Sequence, residues 1–216
     1  MSGFMVYWSK DYVKELKAAG DSGPIKVIYG GPHSTMPSIE SVEVGDIIYP
    51  VTIANNTLCV LARLPVEKKE IAFHYVLRET GEIHKAIKPD GYAEEVINHN
   101  GNIFFFCEGH AYNSVKALPE NTKVIYLSDL KELPHKYHQK PKTCCAELAA
   151  WGEHGSTIEL RSLPLDILPS LRFGNTSKQQ KPLILNSKGI PTTTSLSNVR
   201  RMSEETQEIF ESLFKA

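Results

Sequence analysis

The chain has 216 residues, 41% of them hydrophobic, and a formal net charge of -1; that is enough apolar material for a real core in one elaborated domain spanning 1–216. The near-neutral balance excludes a global field that would drive the chain onto nucleic acid or a membrane. No apolar run approaches the roughly 18 residues a membrane helix needs, and no leader is visible because Ser9 to Lys17 is charged, so the four cysteines, Cys59, Cys107, Cys144 and Cys145, fit a reduced, cytoplasmic setting.

In chain order, Gly3 to Trp8 reads as a first strand. Ser9 caps a helix over Lys10 to Ala19, stopped by Gly20, with Tyr12, Val13, Leu16 and Ala19 on one stripe. Ile25 to Tyr29 is a short strand, and the glycines and prolines of Gly30 to Ser38 make an open loop. Ile47 to Ala54 and Thr57 to Leu64 are nearly continuous apolar runs joined by Asn55-Asn56, a tight hairpin covered on both faces. Glu67 to Glu70 reads as a solvated turn, and Ile71 to Leu77 fits either strand or helix. Gly91 to His99 reads as helix, Ile103 to Cys107 and Lys123 to Leu127 as strands, and Cys144 to Trp151 as a helix capped by Thr143. Ser156 to Leu163 alternates like a half-buried strand, Gly174 to Lys181 is a polar loop, and Ser203 caps a last helix over Glu204 to Phe214 with Ile209, Phe210 and Leu213 inward. Irregular alternation of strands and helices predicts an α+β fold: a curved, mostly antiparallel sheet or pseudo-barrel with packed helices.

Few residues carry chemistry by spacing alone. His135, His138, Cys144 and Cys145 form neither a CxxC nor an HExxH pattern, so no metal is expected. The segment Gly30 to Thr35 lacks both the Walker lysine and GxGxxG, and nothing else implies a cofactor. Charge, however, is uneven: Lys131 to Arg201 holds 11 Lys/Arg against 5 Asp/Glu. Within or beside that asymmetry, Trp8 neighbours Lys10, Trp151 precedes Arg161, and Arg200-Arg201 precedes the last helix. Rings that stack on bases and cations that hold phosphates form a nucleic-acid platform.

The order of features resembles the PUA-like superfamily, in particular its EVE and ASCH branches. Tyr7-Trp8-Ser9-Lys10 is similar to the family's Trp segment. Gly45-Asp46-Ile47-Ile48-Tyr49 and Val60-Leu61-Ala62-Arg63-Leu64 resemble its Gly-Asp strand and the strand that follows. Ile158 to Pro164 looks like its "I-x-L-x-x-L-P" segment, and Val199 to Glu205 like its Arg-rich tail before an acidic-capped helix. Residues 67–140 exceed what the family places there and read as an insertion or extension. The resemblance implies a pseudo-barrel with a pocket for a modified or flipped base, read by stacking and edge hydrogen bonds.

Three functions follow as expectations. The first is a DNA or RNA reader without turnover, using Trp8, Lys10, Trp151, Arg161, Arg200 and Arg201. The second is a protein-binding module of the antitoxin, immunity or anti-defence kind. The third is an ASCH-type nuclease or nucleotide hydrolase, with Lys10, His33 and Glu43 as candidate groups.

Overall fold

A computed structural model describes residues 1–31, 38–80, 105–106, 125–126 and 147–215. In chain order the elements are β1 (Gly3–Tyr7), α1 (Lys10–Ala18), β2 (Val27–Gly30), β3 (Ile47–Ala54), β4 (Thr57–Val60), β5 (Leu64–Pro65), β6 (Lys68–Ile71) and α2 (Ala72–Thr80). They continue with β7 (Phe105–Phe106), β8 (Ile125–Tyr126), β9 (Leu148–Trp151), β10 (Arg161–Ser162), β11 (Arg172–Gly174), β12 (Gln180–Pro182), β13 (Arg200–Met202) and α3 (Glu204–Ser212). The chain divides into two compact units. One is Met1–Lys26 with Val42–Lys68 and Trp151–Ala216; the other is Val27–Ser41 with Lys69–Ala150.

The first unit is built on the asparagine hairpin. Asn55 and Asn56 take positive φ, 50° and 61°, and Ala54 pairs with Thr57 across them, which is the two-residue turn whose twist matches its strands. Strand β3 then collects partners: β4 and β5 antiparallel, and β1 parallel from Gly3↔Ile47 to Tyr7↔Val51. The sheet runs β10-β4-β3-β1-β13-β11-β12. Two end strands leave it open, so the pseudo-barrel alternative is corrected to an open, antiparallel-dominated sheet in an α+β unit. A chain of short antiparallel links from β13 outward carries it to the β12 edge.

Two helices cover this sheet. Ser9 Oγ accepts the Tyr12 N–H at the start of α1, a cap worth about 1 kcal/mol. Tyr12 and Leu16 are buried and Gly20, at φ 67°, ends the helix. On the other face, Met5, Tyr49, Val51 and Phe210 share one core, and Tyr49 meets Phe210 edge-to-face at 5.5 Å. Ser203 Oγ accepts the Thr206 N–H to start α3, Phe210 is fully buried, and Ile209 and Leu213 pack at its margin as the stripe predicts.

The second unit contains the sheet β2-β9-β6. Gly30 in β2 lies so close to Ile39 that a Cβ would stand 2.6 Å from its side chain. Tyr29 meets Tyr75 of α2 at 6.0 Å, and Ala72 N–H donates to the Glu147 carbonyl at 3.0 Å. Strands β7 and β8 pair in parallel, within the Phe and Ile-Tyr runs read as strands.

Several local expectations are corrected. Leu148–Trp151 is strand, not helix, because it is hydrogen-bonded between β2 and β6; tertiary pairing overrides local propensity. Glu67 to Glu70 is no free turn, since Lys68–Ile71 is β6. The strand over 156–163 contracts to Arg161–Ser162, because Ser22 and Ile25 bond to Ile158 and Ser156 and take that edge. The polar loop over 174–181 is a hairpin between β11 and β12. The predicted helix over Gly91 to His99, His33, His135, His138, Cys107, Cys144 and Cys145 lie outside the described residues.

The hairpin turn gives a direct test. Asn56→Ala should lower unfolding free energy by about 1 kcal/mol, as left-handed backbone does for a residue with a plain Cβ, whereas Asn56→Gly should not. Urea denaturation midpoints of the two variants check this.

Candidate nucleic-acid interface

The residues expected to read nucleic acid are all in the first unit, and they do not converge on one hollow. Trp8 is 5% exposed; its ring meets Tyr12 edge-to-face at 5.0 Å on the α1 side of the sheet. Lys10 is exposed at the start of α1. Trp151 is half-buried at the end of β9, with Lys68 Nζ 5.9 Å from its ring centre. Arg161 lies on the α3 side, its guanidinium 4.6 Å from the Phe214 ring. It donates to the Leu61 carbonyl and to Thr157 Oγ1, each at 3.0 Å, and stands 3.3 Å from Glu159. These bonds make Arg161 a staple between sheet edge and C-terminal helix.

Arg200 and Arg201 sit on β13, with β4, β3 and β1 between them and Arg161's strand. Arg200 Nε donates to the Ser197 carbonyl at 3.0 Å. Arg201 lies over Phe4 at 5.4 Å and donates through Nη2 to Ser2 Oγ at 2.6 Å, while its buried Nε has no hydrogen-bond partner among the described residues. Of the groups weighed for catalysis, Glu43 is exposed and its N–H bonds to Asp46 at 3.0 Å.

Three other features were candidates for chemistry. Glu211 on α3 accepts from the Tyr49 hydroxyl and from Arg63 Nε at 2.6 Å, a partly buried cluster that ties helix to sheet. Burial, then the Glu211 carboxylate, push the Tyr49 phenol far above its ordinary value. Glu67 is held below the usual carboxylate range chiefly by its 2.5 Å bond to His154 Nδ1. His154 is exposed, and among the described residues no group of three His, Cys, Asp or Glu is placed to hold a metal ion. A groove of about 330 Å³ beside the end of α1 is walled by Leu16, Leu61, Ile158 and Leu160, with no aromatic ring in its lining.

What sequence reasoning missed is the sharper boundary of the basic segment. From Ile167 to Ser203 there is no Asp or Glu, while Arg172, Lys178, Lys181, Lys188, Arg200 and Arg201 are all cationic. The fold gathers this segment on the adjacent strands β13, β11 and β12 and the turns that follow. Lys178, Lys181 and Lys188 are exposed. The signal was legible as an absence: scanning for carboxylate-free windows, rather than for tryptophans near arginines, finds it.

Local chemistry fixes the turns that carry the lysines. Gly174 packs on the Gln179 carbonyl so closely that a Cβ would lie 2.1 Å from it, so only glycine closes this hairpin. In the next turn, Asn186 Oδ1 accepts the N–H groups of Lys188 at 2.9 Å and Ile190 at 3.0 Å, and Gly189 takes φ 74°. Lys188 therefore stands on a turn closed by the Asn186 side chain.

No protein-family model, curated protein or solved structure matches this chain.

The Tyr49–Glu211–Arg63 cluster generates a pH prediction. A phenol whose folded pKa is raised contributes stability that is present below its unfolded value of about 10 and is lost as pH rises beyond it. The stability gap between the parent chain and Tyr49→Phe should therefore narrow above pH of about 10. Glu211→Ala, which leaves the hydroxyl and guanidinium without their acceptor, should cost about 1–3 kcal/mol at neutral pH. Thermal melts of the variants across pH check both.

Proposed function

We propose that this chain binds nucleic acid through the carboxylate-free flank formed by β11, β12, β13 and their turns. The observation that carries it is that six cations, the exposed Lys178, Lys181 and Lys188 and the half-buried Arg172, Arg200 and Arg201, lie on adjacent strands and their turns with no anion in their stretch of chain before Glu204 and Glu205 of α3. A protein of net charge -1 does not attract a polyanion as a whole. A segregated cationic flank does, because each phosphate it neutralises releases counterions.

The family reading belongs here too. We propose a PUA-like fold of the EVE or ASCH kind, in which the sheet stays open rather than closing into the pseudo-barrel that the resemblance implies. The segments that carry the resemblance lie at the end of β1 and the start of α1, on β3, from the end of β4 to the start of β5, around β10, and on β13 leading into α3. The base-pocket version of that reading rests on Trp8 and Trp151. With Trp8 covered, the support shifts from stacking to the phosphate-holding cations of the flank.

The test is a binding titration of the purified chain with mixed DNA and RNA fragments. Affinity should fall steeply between about 50 and about 200 mM salt. The combined change Lys178→Glu, Lys181→Glu and Lys188→Glu should weaken it by at least about tenfold, each reversed charge being worth of the order of 1 kcal/mol. All three side chains are exposed, so circular dichroism should be unchanged. Absence of binding, or binding indifferent to both salt and the three changes, overturns the proposal.

A further inference from the structure

We infer that the ligand of this flank is a nucleic-acid duplex, held by its sugar–phosphate backbone without base stacking. The inference rests on the nucleic-acid reading above and adds the form of the nucleic acid. Between Ile167 and Ser203 the one aromatic residue is Phe173, and it is 3% exposed in the core. Proteins that grip single strands without sequence preference lay successive bases on exposed rings, each worth about 1–3 kcal/mol. This flank has no ring to offer.

What it does offer is what a duplex exterior bonds to. Around the lysines most exposed side chains are hydroxyls and amides, among them Thr176, Ser177, Gln179, Asn186 and Ser187, with Pro182 and Ile184 the apolar exceptions. Lysine with Ser, Thr, Asn and Gln is the set that bonds to phosphate and sugar oxygens, and such bonds position a duplex without reading its bases. The edge strand also refuses the main competing partner. Pro182 in β12 has no N–H, and Lys181 beside it is exposed, so an added peptide strand would find a broken, charged ladder. The two lysine-bearing turns are closed by Gly174 and by Asn186, so little conformational freedom is lost when they meet a rigid ligand.

The experiment is fluorescence anisotropy with two blunt duplexes of equal length and unrelated sequence, each made as DNA and as RNA, together with their separate strands. In at least one of the two chemistries, both duplexes should bind with affinities within about threefold of each other and at least about tenfold tighter than their strands. The DNA and RNA arms identify which duplex is held. Lys178→Gln with Lys181→Gln and Lys188→Gln should flatten the slope of log affinity against log salt by about 2–3, roughly 0.9 for each phosphate no longer neutralised. Strands that bind as tightly as duplexes, or an affinity that follows sequence, overturn the inference while leaving nucleic-acid binding intact. No binding to strands or duplexes overturns the functional reading itself.

Discussion

Strand β3 must be buried on both faces and hydrogen-bonded along both edges, and the first unit is the solution to that constraint. Ile47, Tyr49, Val51 and Ile53 supply one face, with all but Ile53 at 1% exposure or less. Each such side chain buried is worth about 1.5–3 kcal/mol only if something apolar covers it. Strand β1 in parallel and β4 and β5 in antiparallel satisfy the backbone. The helices α1 and α3 cover the faces, and Glu211 pins α3 by reaching to Tyr49 and Arg63.

The parts of this solution that depend on local chemistry were legible in the sequence. The asparagine turn, the Ser9 and Ser203 caps, the Gly20 stop and the inward stripe of α3 each follow from a residue's own backbone preference or from period 3.6. The parts that depend on distant partners were not. Leu148–Trp151 is strand because β2 and β6 flank it, and Lys68–Ile71 is strand because it pairs with β9. Arg161 looked like a phosphate ligand because its charge is visible in the sequence, while Phe214, Leu61 and Thr157, which occupy it, are set against it only by the fold.

The candidate interface divides along the same line. Trp8 and Arg161 stand out in the sequence by residue type, and packing has given each of them structural work. The flank from Ile167 to Ser203 was visible only as a deficit of carboxylates, yet it survives folding because lysines at turns and on edge strands stay in solvent. Solvated cations make weak pairs inside a protein, so their value lies in what they attract from outside.

The parallel match of β1 to β3 and the antiparallel match of β1 to β13 impose an order of events during synthesis. Phe4 pairs with Arg201, so the first strand finds its second neighbour only after translation has passed Arg201. At translation speeds of about 5–20 residues per second, the nascent hairpin waits for on the order of ten seconds with the face that Phe173 and Phe210 cover still open, while α1, already made, can cover the other. That interval is when a chaperone that holds nascent chains would matter most, because closing so long a loop is slow even when every local signal is correct.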